Sequence, residues 1–137
     1  MKKIWFFIVL FLIGNYSYAQ EESLQDGYQV FKYPNGTISS EGLIKNGKPE
    51  GYWKSYYVTG VLKSEGKRSS HLLDSIWIFY DQTGEVTEKI NYLYGKKNGW
   101  YYKYKNDASG HYLLSQELFA GDRKEGVATV YFPDGKV

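Results

Sequence analysis

The chain contains no cysteine, only three prolines and two histidines, and a single methionine at its start. Without cysteine there is no disulfide framework, no thiolate metal site and no thiol nucleophile. Two isolated histidines, His71 and His111, fall short of the three or four convergent ligands a zinc site needs. Charge of one sign is also lacking. Once Lys2 and Lys3 are set aside with the leader described below, 15 basic residues face 15 acidic ones. A neutral chain has no field for a phosphate backbone, so nucleic acid is not an expected partner. No Gly-x-Ser-x-Gly elbow, phosphate loop or dinucleotide fingerprint occurs in the sequence.

Long hydrophobic runs are absent but for one. Ile4–Ile13 is apolar throughout, follows Lys2-Lys3, and leads to a small-residue exit at Ser17 and Ala19. This pattern is expected for a secretory signal peptide, residues 1–19, cut after Ala19. The alternative, an uncleaved anchor, has ten apolar residues where about 20 are needed to span a bilayer. Export to the periplasm or the extracellular space is therefore the expected localisation. Residues 20–26 form a short polar lead. Residues 27–137 carry the remainder of the argument.

Aromatic residues are abundant. Of 26 Phe, Tyr and Trp, six lie in the leader and 20 remain. Each ring can bury about 150–250 Å², so a thin structure can be held together without a deep aliphatic core.

The rings occur in a repeat. Gly36, Gly60, Gly84, Gly110 and Gly135 follow one another at steps of 24, 24, 26 and 25 residues. After Gly36 come the strand-like Thr37–Ile44, the turn-rich Asn46-Gly47-Lys48-Pro49-Glu50-Gly51, and the aromatic run Tyr52–Tyr57. Two such strands joined by a glycine-bearing turn make a β-hairpin. The second unit puts His71 and Ser75 where Gly47 and Gly51 stood. The fourth puts Ala128 in the tryptophan slot, and extra residues near Asn106–Ser109 are expected to lengthen the third unit's exit turn. A lone hairpin is marginal in water, so the units must stack. The expected fold is all-β: an elongated, twisted antiparallel sheet of consecutive hairpins. Alternation along the strands places Trp53, Trp77 and Tyr101 on one face, and Tyr56, Tyr80, Tyr104 and Tyr131 on the other.

Asn46-Gly47-Lys48-Pro49-Glu50-Gly51 with Tyr57 and Gly60, and Gly95-Lys96-Lys97-Asn98-Gly99 with its aromatic strand, resemble the MORN repeat. The glutamates and bulky strand centres resemble the bacterial variants labelled YwqK-type antitoxin-like. The resemblance covers about residues 27–137. It implies a hairpin array that serves as a scaffold, a protein-binding surface or a lipid-binding surface, and the missing catalytic motifs make a non-enzyme without cofactor the expectation.

Four sets of residues are candidates for function. Glu41 and Glu65 occupy equivalent repeat positions, but a glycosidase pair must face each other across a cleft. Pairing with lysines such as Lys63 or Lys89 explains them more simply. The basic residues Lys96, Lys97, Arg123 and Lys124 fall near hairpin turns and could line an edge for anionic lipid. Trp53, Trp77, Phe79 and Tyr101 form either an open aromatic face for a protein or a glycan, or a layer covered by its own neighbours. The strand at 127–132 is expected to leave an unpaired rim, open to strand addition by a partner or a second copy. The expected function is a non-catalytic protein-interaction or scaffold module, with glycan or anionic-membrane binding as alternatives.

Overall fold

The computed structural model describes residues 24–137. The expected leader and its cut after Ala19 lie outside the described residues. Nine strands follow in order: β1 (Gly27–Lys32), β2 (Ile38–Lys45), β3 (Lys48–Tyr56), β4 (Leu62–Ser69), β5 (Leu72–Tyr80), β6 (Val86–Leu93), β7 (Lys96–Asp107), β8 (Gly110–Ala120) and β9 (Arg123–Val130). They form one sheet in which each strand pairs antiparallel with the next. The hairpin array expected from the repeat is the observed architecture.

The units are fastened along both edges of the sheet. On one edge the Tyr33 hydroxyl donates to the Tyr56 carbonyl, and 24 residues later Tyr57 donates to Tyr80, both at 2.7 Å. On the other, His71, Gly95 and Asp122 donate backbone N–H groups to the carbonyls of Pro49, Leu73 and Lys97. Gly47 opens this series, and its N–H is received by the Asp26 carboxylate. The polar lead thus closes the first unit.

These N–H donors sit in two-residue turns with both central residues at positive φ: Asn46-Gly47, Ser70-His71, Tyr94-Gly95 and Gly121-Asp122. Such turns match the twist of the flanking strands. His71 (φ 65°) and Ser75 (φ 58°) keep the left-handed backbone of the glycines they replace, so the second unit departs in residue type and not in path. The exit of the third unit is a correction. Its extra residues lengthen β7 and β8 to 12 and 11 residues and leave a tight turn at Ala108-Ser109, closed by the Asp107–Gly110 pair. Extra ladder pairs satisfy backbone groups that a longer loop would leave to water.

The core is one layer of rings laid on the sheet. Trp53 pairs with Gly42 and Trp77 with Gly66, and a Cβ on either glycine would fall 2.4 Å from the indole. The missing side chain on one strand lets the ring from the next lie flat across it. Each indole N–H then meets a carbonyl of that strand: Trp53 Nε1 donates to Leu43 at 3.2 Å, and also to Glu50 of its own strand at 3.2 Å, while Trp77 Nε1 donates to Lys67 at 2.8 Å. In the third unit a buried Ile90 replaces the glycine and Tyr101 replaces the tryptophan.

Candidate functional site

The tryptophan face packs on itself. Trp53, Trp77 and Tyr101 are 8, 5 and 7% exposed, and Phe79 is half-buried against them. Phe31 stacks on Trp53, Phe79 leans on Trp77, and Phe119 leans on Tyr101, with centroids 5.9–6.4 Å apart. Arg68 covers Trp77 at 5.3 Å, while Lys97 and Lys103 cover Tyr101 at 4.7 and 5.0 Å. Of the two readings open at sequence level, the covered layer is the observed one. An open aromatic strip at Trp53, Trp77, Phe79 and Tyr101 is corrected on that ground. What this face retains is a shallow groove lined by Trp53, Trp77, Arg68, Ser40, Ser55 and Ser64.

The basic residues are largely in use. Lys97 lies over Tyr101 and Phe119, Lys124 reaches Glu117 at 3.7 Å, and Arg123 holds Glu125 at 2.9 Å. Lys96 stands exposed at the start of β7. Surface pairs of this kind contribute about 0–1 kcal/mol, yet they divert the charges from forming one cationic strip.

The opposite face is different, and backbone bulges make it so. In β3 the residue opposite Gly42 is Trp53, but the residue opposite Leu43 is Glu50, so Gly51-Tyr52 is an insertion against β2. β5 inserts Ser75-Ile76 in the same way against β4. The registers of β7 and β9 slip at Gly99-Trp100 and Gly126-Val127. The first residue of each pair has positive φ: Gly51 72°, Ser75 58°, Gly99 102° and Gly126 68°, with Gly27 at 119° ahead of Tyr28. A bulge bends its strand and re-aims a side chain. Here the second residue faces solvent: Tyr52 is 56% exposed, Ile76 52%, Trp100 41% and Val127 93%, and Tyr28, 64% exposed, takes the same place in β1, where the pairing with β2 is regular. One large side chain per unit forms a ladder on odd-numbered strands. Sequence reasoning passed it over for its neighbour. The signal was the doublet Tyr52-Trp53, Ile76-Trp77, Trp100-Tyr101, of which alternation can bury only one member.

The two glutamates lie beside this ladder. Tyr56 donates to Glu41, and Tyr80 donates to Glu65 at 2.6 Å. The lysine pairing expected for them is replaced by tyrosine hydroxyls one strand away. Partial burial first, and then the Glu41 carboxylate, push the Tyr56 hydroxyl up to about 12. Tyr80 is raised for the same reasons with Glu65 as partner. Tyr28 and Tyr52 are raised as well, by desolvation and then by Glu41 and Glu65 respectively. Each carboxylate is thus flanked by two tyrosines, Tyr28 and Tyr56 or Tyr52 and Tyr80. In the third unit Lys89 takes the glutamate position and lies over Tyr104 at 5.5 Å. Trp100 stacks with Tyr102 at 6.3 Å and extends the aromatic surface on the same face. Neither the tryptophan-face groove nor a second concavity at Lys45, Asn46, Lys48, Glu50, Ser70 and His71 includes Glu41 or Glu65. No group of three or more metal-ligating side chains converges among the described residues.

A family model for the MORN repeat variant matches this chain three times, over residues 25–46, 49–67 and 73–94. Each match takes in a hairpin or most of one, in agreement with the strands described. Neither a curated protein nor a solved structure matches the chain. MORN repeats generally mediate protein or membrane interactions and are typically non-catalytic.

Proposed function

We propose that the chain is an exported, non-catalytic interaction module, akin to the antitoxin-like bacterial arrays, that holds a protein partner on the bulge ladder. The observation that carries this reading is the recurrence of the device. Five times a positive-φ residue turns the next side chain outward, and each time that side chain is large and apolar or aromatic. Exposing Tyr28, Tyr52, Ile76 and Trp100 in a row costs solvation that a free monomer has no reason to bear. Tyrosine and tryptophan dominate protein contact surfaces because each supplies much area at a small cost in rotamer entropy. The diversion of Lys97, Arg123 and Lys124 into local pairs weighs against an anionic-membrane edge.

Photo-reactive residues at positions 52 and 100, compared with positions 40 and 64 on the tryptophan face, test the assignment in the native envelope fraction. Protein adducts from 52 and 100 alone are expected. Equal labelling from both faces, or adducts only to lipid or glycan, would refute it. Export is tested by N-terminal sequencing of the fractionated protein, with Gln20 as the expected first residue.

A further inference from the structure

Resting on that reading, we infer that the ladder's occupant is a proline-rich segment in polyproline II form that carries a basic residue. The first argument is spacing. Successive ladder residues sit on alternate strands, and strands lie about 4.7–4.9 Å apart, so the rungs are about 9.6 Å apart. A polyproline II chain rises about 3.1 Å per residue with three residues per turn, which returns it to the same face every 9.3 Å or so. An extended strand returns about every 6.7 Å. An α-helix meets a comparable spacing after two turns, about 10.5 Å.

The second argument is twist. Adjacent strands are rotated by about 20–25°, so the ladder winds by about 40–50° per rung. A chain without internal hydrogen bonds can follow that winding. A straight α-helix would leave the row after two rungs.

The third argument is chemistry. Polyproline II segments bind to aromatic surfaces and offer backbone carbonyls that no intramolecular donor satisfies. The ladder supplies the rings of Tyr28, Tyr52 and Trp100, and the exposed indole N–H of Trp100 has no acceptor among the described residues. The buried Trp53 and Trp77, by contrast, have theirs filled. Glu41 and Glu65 stand beside the first rungs with no ion pair among the described residues, and they define where a lysine or arginine of the ligand sits. From Tyr28 to Trp100 is three steps, so the footprint is about nine or ten residues at that rise.

The test uses the full chain, two synthetic decapeptides of equal charge, and an uncharged proline-rich control peptide. One is proline-rich with a single arginine; in the other glycine replaces proline, abolishing the preformed helix. Titration calorimetry should give at least a tenfold weaker affinity for the glycine peptide. Tyr52→Ala and Trp100→Leu should each weaken the proline peptide at least tenfold, with circular dichroism unchanged. Glu41→Gln with Glu65→Gln should lower affinity for the arginine peptide and leave an uncharged proline peptide unaffected. Equal binding of both decapeptides, or none at millimolar concentration, overturns the inference. So does ladder-dependent binding of a chito-oligosaccharide or of anionic vesicles in place of the peptide. Should positions 52 and 100 cross-link to protein while both peptides fail, the protein-interaction reading stands and this assignment of its ligand does not.

Discussion

Gly66→Ala is the substitution that most directly probes how the sheet is held together. The added Cβ would sit 2.4, 2.5 and 2.6 Å from Cδ2, Cγ and Cε2 of Trp77. Carbon atoms pack at about 3.5–4.0 Å, so the indole must rise by about 1 Å or swing away. Neither is cheap, because the obstacle is the body of a large ring and not the tip of a flexible chain. Lifting the ring opens its edges to water and strains the 2.8 Å bond from Nε1 to the Lys67 carbonyl. Losing half the burial of a tryptophan is worth about 2–3 kcal/mol, at about 25 cal/mol per Å² over 150–250 Å². The weakened hydrogen bond adds about 1 kcal/mol. The expected loss is about 3 kcal/mol, a large share of the 5–15 kcal/mol typical of a domain.

The third unit supplies the control. There Ile90 stands in the Gly66 position, Tyr101 in the Trp77 position, and Glu88, which accepts from the Tyr101 hydroxyl at 2.7 Å, in the Ser64 position. Gly66→Ile with Trp77→Tyr and Ser64→Glu transplants that solution. Urea unfolding should show the triple variant more stable than the sum of its single changes by at least 1 kcal/mol, with the slope unchanged. A cost below about 0.5 kcal/mol for Gly66→Ala, or plain additivity in the triple variant, would refute the ring-on-glycine account.

Three further outcomes are expected. His71→Gly and Ser75→Gly should each raise stability by about 1 kcal/mol in urea melts, since both side chains occupy left-handed backbone and glycine relieves that strain; a loss would show that the side chains contribute more than the backbone costs. The tyrosines beside the carboxylates set a pH dependence whose sign follows from which state holds its protons. Tyr56 is raised from 10.0 to about 12 in the folded chain, so its contribution is complete below pH 10 and is lost as pH rises towards 12. Urea midpoints between pH 9 and 12 should fall, and Tyr56→Phe should flatten the fall; a midpoint that rises with pH would contradict it. Truncation before Val127 removes the end of β9 with its exposed Val127 and Val130, and the exposed Phe132 beyond it, and should abolish any self-association read by light scattering. An unchanged mass would exclude this strand as an association edge.

Much of the architecture could be read before the structure, and the reason is periodicity. Steps of 24 residues between glycines leave room for one hairpin and little else, and the aromatic doublets mark its second strand. The antiparallel array of consecutive hairpins follows from that period, and the placing of Tyr56 and Tyr80 opposite Trp53 and Trp77 follows from alternation. What alternation could not supply was which face is wet. Trp53 and Tyr52 are both large and aromatic, and composition gives no reason to bury the one and expose the other. The deciding residue is Gly42, eleven positions before Trp53, whose missing side chain makes the bed for the indole. That is a pairing across strands, visible only once register is known, and register here is shifted by bulges at nearly every hairpin. The glutamates were misassigned to lysines for the same reason. Glu41 stands opposite Lys54 in the ladder, yet its carboxylate takes the hydroxyl of Tyr56, the diagonal neighbour two residues further along β3.

The bulges therefore do two jobs with one backbone device. They let the indole of one strand cross to the glycine of its neighbour, and in the same step they turn the preceding residue outward. The packed rings lie on one face and the exposed ladder on the other, each pair preceded by the positive-φ residue. It follows that the ladder side chains are free to vary without disturbing the core. Ile76 stands where Tyr52 and Trp100 stand in their units, and the Trp77 beneath it is packed as tightly as Trp53. Val127 makes the same point in reverse. Its unit has Ala128 in the ring slot, so no indole is gained there, yet Gly126 keeps its φ of 68° and Val127 is still turned out. The bulge geometry and the outward side chain are thus independent of whether a ring is seated beside them.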